Sequence, residues 1–366
     1  MKDKIKKKRI MQQDHLFSPL QMRNIILRNR IVVSPMQQYE ANDGLVNYWH
    51  LVHLGSRAVG GAGLIITECT AVSPEGMNTP NDTGLWNQEQ VDAWKPVVKF
   101  VQDQGAKIAV QLWHAGGKGS HSHPSQGFKY VGPENGGWIP KSASPMALDL
   151  IHHSTALTVA EIKGITNDFA EAAKKAVQAG FDSIELHAGH GYLFHQFYSA
   201  VVNHREDEYG GSFENRIRFL IDTVKVIRDV IPEGMPLLVR LSAVDYLESE
   251  EAWTIEDSVK LAAILKANGV DMITASAGGF VFLDKSRVFP SYQLPFAEQI
   301  KAATGIVTGT VGMITDAEQA EEIISSGAAD LVVIAKEFLR DPYFALNAAR
   351  KLGQETDIPV PYLRAF

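Results

Sequence analysis

Eight short apolar segments recur along the chain, and the stretches between them have the pattern of helices. Uninterrupted runs of Val, Ile and Leu of this length are typical of parallel strands that are buried on both faces. Eight successive strand–helix units, with no change of composition between them, predict an α/β protein built as one closed (β/α)₈ TIM barrel. The predicted strands are residues 31–36, 64–72, 107–113, 183–189, 237–243, 272–278, 306–312 and 331–337.

Local signals support the helices between these strands. Thr158 and Glu161, and likewise Thr315 and Glu318, have the spacing of a capping box, in which a hydroxyl and a carboxylate satisfy free amides at a helix start. Gly180 stands just before the fourth strand, as a left-handed C-cap does. The alternative fold is a doubly wound parallel sheet. Such a sheet usually carries a Gly-x-Gly-x-x-Gly turn after its first strand, and this sequence contains no such motif.

Two segments fall outside the eight units. Residues 16–30 are predicted to form a short hairpin that plugs the N-terminal end of the barrel. Residues 115–157 follow the third strand and are rich in Gly, Pro, Ser and His, and a connection of this length usually acts as a lid or a binding loop. We therefore expect a single domain over residues 16–366, preceded by a disordered basic arm over residues 1–15.

Charge and composition narrow the class of protein. The formal net charge is −7, but residues 1–9 alone contribute +5, so the rest of the chain carries −12. An acidic body argues against nucleic acid as a partner, because binding phosphates requires positive surface. No apolar run approaches the length of about 18 residues that predicts a membrane span. A single cysteine, Cys69, and a basic start with no apolar segment behind it favour a cytoplasmic protein.

The fourth predicted strand ends in a cluster of proton-transfer groups. In barrels of this type the active site forms where the strands reach their C-terminal ends. His187, His190 and Tyr192 leave this end within six residues. Imidazole N–H groups donate to a developing oxyanion and a phenol supplies a proton, so the cluster predicts acid catalysis on a polarised substrate. A metal site is not expected, because no third zinc ligand stands at a recognisable spacing.

One cation and several small residues indicate where an anion would bind. Arg240 lies in an otherwise apolar strand, and a buried guanidinium needs an anion or a polarised oxygen as its partner. That partner is either a ligand in the barrel mouth or, alternatively, Glu68 or Glu185 inside the barrel. Small residues such as Gly312 end the last two strands, where phosphate-binding barrels expose backbone amides. The pattern alone thus predicts a barrel enzyme that binds a phosphorylated ligand.

These residues stand in sequence blocks that resemble the old yellow enzyme family of flavin-dependent ene-reductases, and within it the bacterial thermophilic-like subgroup. The blocks follow the order of the barrel strands and extend over nearly the whole chain. The paired histidines fit this subgroup, because the other branch usually has His and Asn. The blocks are LFSPLQMRNIILRNRIVVSPM at residues 16–36, QLWHAG at 111–116, HAGHGYLFHQF at 187–197, NHREDEYGGSFENRIRF at 203–219, VGMIT at 311–315 and EFLRDP at 337–342.

The resemblance implies a noncovalently bound FMN across the barrel mouth, with NADPH or NADH as hydride donor. In the implied ping-pong reaction the nicotinamide reduces the flavin and leaves, and an activated alkene is then reduced. A separate dinucleotide domain is unnecessary, because the nicotinamide only stacks on the flavin. Arg240 is expected to stabilise negative charge on the reduced flavin. The other residues expected to bind FMN are Ser34, Pro35, Met36, Gln37, Cys69, Gln111 and, at the phosphate, Gly312, Ala335 and Lys336.

The resemblance also implies how the substrate is held. His187 and His190 would bind the carbonyl or nitro oxygen of the alkene and draw electron density from the double bond. Tyr192 would protonate the α-carbon, and Tyr39 would contact the substrate. The expected substrates are small activated alkenes.

Three features bear on assembly and on cofactor binding. Residues 361–366 resemble a C-terminal tail that enters the active site of a neighbouring subunit, which implies a homodimer or homotetramer with Arg364 reaching across. Gln37 stands where the subgroup typically has a redox-tuning Cys, so thiol-type regulation is not expected. Ala335 and Lys336 replace the usual Gly-Arg at the phosphate, which keeps the positive charge but loses the bidentate fork.

Two other functions stay open at this point. One is a non-redox barrel isomerase or lyase that acts on a phosphorylated substrate, and the other is a non-catalytic barrel that binds a flavin or another metabolite. A flavin absorbance spectrum separates the first from the ene-reductase hypothesis. Consumption of NAD(P)H in the presence of an alkene separates the second.

Overall fold

Eight parallel strands close on themselves to form the barrel. The computed structural model describes residues 14–145 and 154–365. Within them each barrel strand pairs with its neighbours in chain order, and the first strand also pairs with the last. The strands are β1 (Ile31–Val33), β2 (Leu64–Ala71), β3 (Lys107–Trp113), β4 (Ser183–Ala188), β5 (Leu237–Ser242), β6 (Met272–Ser276), β7 (Val307–Thr310) and β8 (Leu331–Ile334).

Helices surround the barrel, and two short ones, α4 and α9, follow β4 and β8 directly. Over the described ranges the helices are α1 (Tyr48–Val59), α2 (Gln88–Asp103), α3 (Val159–Ala179), α4 (Leu193–Tyr198), α5 (Phe213–Val230), α6 (Ile255–Ala267), α7 (Leu294–Thr304), α8 (Ala317–Ser325), α9 (Lys336–Arg340) and α10 (Phe344–Leu352). The alternation of strands and helices confirms the predicted (β/α)₈ class. None of these helices is both long and apolar enough to cross a membrane.

The cap predictions have mixed outcomes. The Thr158 hydroxyl accepts from the Glu161 N–H and the Glu161 carboxylate accepts from the Thr158 N–H, so the capping box of α3 is confirmed. The predicted box at Thr315 is wrong. Asp316 is the N-cap of α8 instead, because its carboxylate accepts from the Gln319 N–H at 2.9 Å and a short acidic side chain satisfies that amide well.

Several strands end earlier than their apolar runs do. The prediction placed the end of the first strand at residue 36 and that of the last at residue 337, whereas β1 ends at Val33 and β8 at Ile334. The Ser34 N–H still donates to the Ile334 carbonyl at 2.9 Å, and beyond this bond the chain leaves the ladder. Consequently the residues that follow β1 lie in a loop and those that follow β8 lead directly into α9, where their side chains are free to face a ligand.

The N-terminal hairpin closes one end of the barrel, as predicted. Strands Leu20–Met22 and Ile25–Leu27 pair in antiparallel fashion. Burying this apolar hairpin against the strand interiors removes its surface from water and leaves the opposite, C-terminal end as the open mouth. The residues of this buried cluster are Met22, Ile25, Leu27, Val32, Leu64, Ile66, Ala109, Leu238, Met272, Leu331 and Val333.

The long loop after β3, predicted over residues 115–157, lies over the barrel mouth in its described parts, 115–145 and 154–157, whereas residues 146–153 lie outside the described residues. It contains short 3₁₀ turns at Gly116–Lys118, Pro124–Gln126 and Pro133–Asn135. Two-residue strands, Lys141–Ser142 and Thr155–Ala156, pair in parallel near its end. The loop is therefore a folded cover, and its first turn reaches the residues that follow β4 through Lys118, as described below.

The predicted basic arm, residues 1–15, lies outside the described residues except for Asp14 and His15. Asp14 pairs with Arg30 at 3.0 Å, and His15 Nδ1 lies 2.6 Å from Glu321 Oε1 in α8. These contacts attach the chain to the barrel just before the hairpin.

Candidate active site

The three residues of the predicted His/His/Tyr cluster lie together at the C-terminal end of β4. His187, the fifth residue of β4, is 3% exposed, and its Nε2 lies 3.1 Å from Nδ1 of His190. The Tyr192 ring packs edge-on against His187 with a centroid distance of 5.1 Å. On its other side Tyr192 meets Trp113, the last residue of β3, at 4.5 Å. The cluster is therefore packed between two neighbouring strands.

Burial sets the protonation of this cluster. Burial, with Arg240 as the next contribution, lowers the pKa of both His187 and His190 well below 6.5. Burial also raises the pKa of Tyr192 well above 10. At neutral pH both rings are therefore neutral and the phenol keeps its proton. Each neutral imidazole carries one N–H group. One of these two groups donates across the 3.1 Å contact between the rings, so the other is left to donate elsewhere.

Lys118 belongs to this site, and sequence reasoning missed it. Its Nζ donates to the His190 carbonyl oxygen at 2.7 Å and to the Gly279 carbonyl oxygen, and it lies 5.1 Å above the centre of the Tyr192 ring. Burial lowers its pKa to about 7. The only sequence signal is that Lys118 follows the QLWHAG block at the end of β3, and a lysine in a Gly-rich loop is usually solvated.

Arg240 of β5 lies beside the cluster, in register with His187 of the neighbouring strand β4, and is bound by hydroxyl groups. Its Nε donates to Ser276 Oγ at 2.9 Å and its Nη1 donates to Ser34 Oγ at 3.0 Å. The structure does not realise the alternative of an internal ion pair, since neither Glu68 nor Glu185 bonds to it in the part of the chain described. A buried guanidinium whose partners are two hydroxyls remains available to an anion.

The buried carboxylate of Glu185, in β4, links side chains of β3 and β6. Glu185 accepts from Gln111 Nε2 at 2.6 Å and from Thr274 Oγ1 at 3.1 Å. The other end of the Gln111 amide accepts from Cys69 Sγ at 3.1 Å. Burial raises the pKa of Glu185, while the charge of Arg240 acts in the opposite direction. These contacts fix the orientation of the Gln111 amide, one of whose N–H groups stays available.

The loop after β1 carries the next set of predicted residues. Pro35 and Met36 are half-buried there. Gln37 Nε2 donates to Asp82 Oδ1 at 2.8 Å, whereas Gln37 Oε1 is buried without a protein partner. Burial raises the pKa of Asp82 to about 6, although this carboxylate also accepts from the Asn78 N–H at 2.6 Å. Gln37 is thus held by one end and presents the other as an unsatisfied acceptor.

Two cavities flank these residues. One, of about 430 Å³, includes the predicted phosphate residues Gly312, Ala335 and Lys336, together with Arg340. A Cβ at Gly312, where φ is +123°, would meet the Tyr292 ring at 2.9 Å, so only glycine fits this backbone. The other cavity, of about 690 Å³, lies under the long loop and is lined by Tyr39, Asn78, Lys118, His121, Gly127, Phe128, Lys129, Tyr130, Tyr192 and Phe282.

Arg364 is the predicted residue that its own chain does not bring to the site. It is exposed and lies in a 3₁₀ segment, Val360–Ala365, and it lines neither of these cavities. The tail is attached through Tyr362, whose hydroxyl lies 3.3 Å from that of Tyr343. Arg364 is therefore exposed and takes no part in either cavity of this chain.

Comparison with known proteins identifies the family. Residues 15–355 match the model of the NADH:flavin oxidoreductase / NADH oxidase family. The chain belongs to this family. NADPH dehydrogenase of Listeria welshimeri is 44% identical over 353 residues, which cover 96% of this chain and 99% of the relative. Membership makes the chain an NAD(P)H-dependent oxidoreductase with FMN as its flavin, and the non-redox alternative is not favoured.

Solved structures agree with this assignment. Morphinone reductase in complex with tetrahydroNAD superposes with a TM-score of 0.76 at 28% identity, over 95% of this chain and 93% of that one. An old yellow enzyme homologue from Zymomonas mobilis gives a TM-score of 0.76 at 26% identity, over 94% and 95% of the two chains. The resemblance to old yellow enzymes that the sequence blocks indicated is thereby confirmed.

The residues present suit FMN. Among the described residues, no carboxylate is bonded to the buried cation of Arg240, and the buried acceptor Gln37 Oε1 has no partner. At the other end, Gly312 opens a cavity in which Arg340 is paired with Glu337 at 2.9 Å, so Lys336 supplies the positive charge that a phosphate requires. A polar edge near Arg240 and a basic cavity near Lys336 match the two polar ends of the cofactor.

Proposed function

We propose that this chain is an FMN-dependent ene-reductase that uses NADPH or NADH to reduce activated C=C bonds by a ping-pong reaction. The proposed substrates are α,β-unsaturated carbonyl compounds, maleimides and nitroalkenes. The observation that carries the proposal is the cluster of His187, His190 and Tyr192. Two neutral imidazoles in contact lie beside a phenol of raised pKa that lines a cavity of about 690 Å³. Donors for an oxygen next to a proton donor suit an alkene conjugated to C=O or NO₂.

The proposal assigns the cofactor-binding residues as follows. Arg240 would stabilise negative charge at the pyrimidine end, with Ser34, Gln37, Cys69 and Gln111 beside it, and Pro35 and Met36 would line the flavin. Lys336 would bind the phosphate as a point charge, with Gly312 and Ala335 giving access to the backbone. When bound, FMN supplies the hydride that reaches the β-carbon of the alkene.

His187 and His190 would bind the substrate oxygen. Their neutral state lets them donate hydrogen bonds without adding a full charge to the site. Because one proton lies in the contact between the rings, the pair offers one outward N–H. A second donation to the same oxygen requires the 3.1 Å contact to open. Donors to a developing oxyanion typically contribute about 10²–10³ in rate.

Tyr192 would deliver the proton to the α-carbon. Its raised pKa keeps the hydroxyl protonated until it reacts. Two neighbours favour the phenolate that remains after the transfer: a side-chain hydrogen bond from Asn78, which acts to lower the Tyr192 pKa, and the Lys118 ammonium 5.1 Å above the ring. Tyr39 lines the same cavity and would contact the substrate.

Replacing Tyr192 by Phe tests the proposal. In the FMN-loaded enzyme, alkene reduction measured by stopped flow is expected to slow by about 10²–10⁴, the usual contribution of a positioned acid. Reduction of the flavin by NADPH is expected to stay close to the wild-type rate, because that step needs no proton from Tyr192. Tyr48→Phe, on the outer surface of α1 with Tyr48 83% exposed, is the matched control.

Two results would contradict the proposal in different ways. Equal losses in both half-reactions of Tyr192→Phe would remove Tyr192 from its role as proton donor. A wild-type holoenzyme that consumes no NADPH or NADH in the presence of cyclohexenone, a maleimide or a nitroalkene would refute the ene-reductase function itself. Both results are read from flavin absorbance and nicotinamide absorbance in the same experiment.

We also propose that the chain assembles as a homodimer or homotetramer in which Arg364 enters the site of a neighbouring subunit. The supporting observation is that Leu363, 56% exposed, and Arg364, also exposed, line neither cavity of their own barrel. An aromatic contact between Tyr362 and Tyr343 holds the segment that presents them.

A further inference from the structure

The turn that carries His190 into the site has a strained backbone. His190 has φ of +53° and Gly191 has φ of +74°. A non-glycine residue in this left-handed region costs about 1–2 kcal/mol, so other contacts must hold it there. Side chains from three segments do so: Ser242 Oγ accepts from the His190 N–H at 2.8 Å, Lys118 Nζ donates to the His190 carbonyl oxygen, and His195 Nδ1 accepts from the Gly191 N–H at 2.8 Å.

His195 is held in turn by a buried carboxylate. It lies in α4 and is fully buried, and its Nε2 is 2.6 Å from Asp245 Oδ1. The other oxygen of Asp245 accepts from Ser199 Oγ at 2.6 Å and from the Trp253 N–H at 2.9 Å. The ring of His195 also packs on Phe280 with a centroid distance of 4.1 Å. Both the position and the rotation of the imidazole are therefore determined.

These contacts allow only one neutral tautomer. Nδ1 of His195 accepts a hydrogen bond from the backbone of Gly191, so it carries no proton. Nε2 must then carry the proton and donate it to the Asp245 carboxylate. In the other tautomer the Nδ1–H of His195 would face the Gly191 N–H, so this hydrogen bond would be lost. The unprotonated Nε2 would face the Asp245 carboxylate, so that hydrogen bond would be lost as well.

We propose that His195, oriented by Asp245, is a positioning residue for His190 and Tyr192. It lines neither of the two cavities, so it acts through the backbone of the turn and not on the substrate. The inference rests on the proposed ene-reductase function, because the groups that it positions are the oxygen-binding imidazole and the proton donor.

Two substitutions of His195 separate positioning from simple packing. The amide of Asn lies near the place of the imidazole Nδ1 and keeps an acceptor for the Gly191 N–H, but it loses Asp245. The amide of Gln lies near the place of Nε2 and keeps a donor to Asp245, but it loses the Gly191 N–H. If His195 only satisfies the buried Asp245 carboxylate, His195→Asn should lower activity more than His195→Gln. If His195 positions the turn, His195→Gln should lower activity more than His195→Asn.

Kinetics of the FMN-loaded variants supply the first test. His195→Gln is expected to lower kcat for alkene reduction about a hundredfold, the typical effect of misplacing reacting groups by about 1 Å, with a smaller change in KM. His195→Asn is expected to be at least tenfold faster than His195→Gln. Thr223→Ala removes a buried hydroxyl of α5 that donates to the Phe219 carbonyl oxygen of the same helix, outside this network, and is expected to behave like wild type. A His195→Asn variant as slow as His195→Gln would overturn the inference.

Two further measurements do not depend on turnover, and the second uses only the wild-type protein. In hydrogen exchange by mass spectrometry, the amide of Gly191 is expected to exchange faster in His195→Gln than in His195→Asn, and equal rates would count against positioning. In the wild-type holoenzyme, ¹⁵N NMR of labelled histidine must find His195 protonated at Nε2. A proton on Nδ1 would refute the inference, whereas failure of alkene reduction alone would refute only the proposed function.

Discussion

Replacing Lys118 by Met should change how the stability of this protein depends on pH. Lys118 is 8% exposed, and its ammonium is bound by the carbonyl oxygens of His190 and Gly279 without a carboxylate partner in the described part of the chain. Burial lowers its pKa from 10.5 to about 7. Since one pKa unit corresponds to about 1.4 kcal/mol, keeping this lysine charged below pH 7 costs the folded state roughly 5 kcal/mol.

The sign of the effect follows from proton binding. Between pH 7 and pH 10.5 the unfolded chain keeps the proton on Lys118 and the folded chain loses it, so the free energy of unfolding rises with pH across this window. From pH 7 to pH 9 the contribution of Lys118 amounts to about 2 kcal/mol. In Lys118→Met this contribution is absent, while all other titrating groups stay.

Urea denaturation of the FMN-loaded proteins at pH 7 and pH 9, with a fixed excess of FMN, measures the effect. Wild type should gain about 2 kcal/mol more than Lys118→Met between the two pH values. Lys129→Met, which removes an exposed lysine from the same loop, should follow wild type. Equal gains for wild type and Lys118→Met would refute the reasoning, because they would mean that burial does not lower the pKa of this amine.

Two further predictions concern the site and the tail. The pKa values of His187 and His190 lie well below 6.5 and that of Tyr192 lies well above 10. Titration of these three groups should therefore not change the rate of alkene reduction between pH 6.5 and pH 10. An inflection near pH 6.5 in the pH–rate profile that disappears in His190→Asn would contradict this. Truncation after Tyr362 should raise KM for the alkene and loosen the oligomer in light scattering. Unchanged assembly and KM would contradict the proposed role of Arg364, and Arg364→Ala separates its side chain from the rest of the tail.

The strand pattern was predictable in detail where local chemistry decides it. β3 has the predicted bounds, Lys107–Trp113, since its apolar run and its ladder end at the same residue. The ends of β1 and β8 were not predictable, because an apolar run does not show where the last inter-strand hydrogen bond falls. The site cluster was predictable because His187, His190 and Tyr192 are close in sequence and follow one strand.

Other site residues carried no usable signal. Lys118 resembles any loop lysine, and its lowered pKa results from the long loop folding over the barrel mouth. Arg240 was recognised as a buried cation, but its serine partners are 206 and 36 residues away in sequence. His195 and Asp245 are separated by 50 residues and meet only because α4 packs beside the loop after β5.

Periodicity alone was enough to establish an eight-fold barrel, to locate its open end and to place two imidazoles and a phenol there, because strand order and the direction of parallel strands follow from the chain itself. Only the tertiary structure decides which groups are removed from water and which atoms come into contact. Solvation and hydrogen bonding act over a few ångströms in space, so the neutral histidine pair, the amine above Tyr192 and the protonated nitrogen of His195 are properties of packing between distant segments.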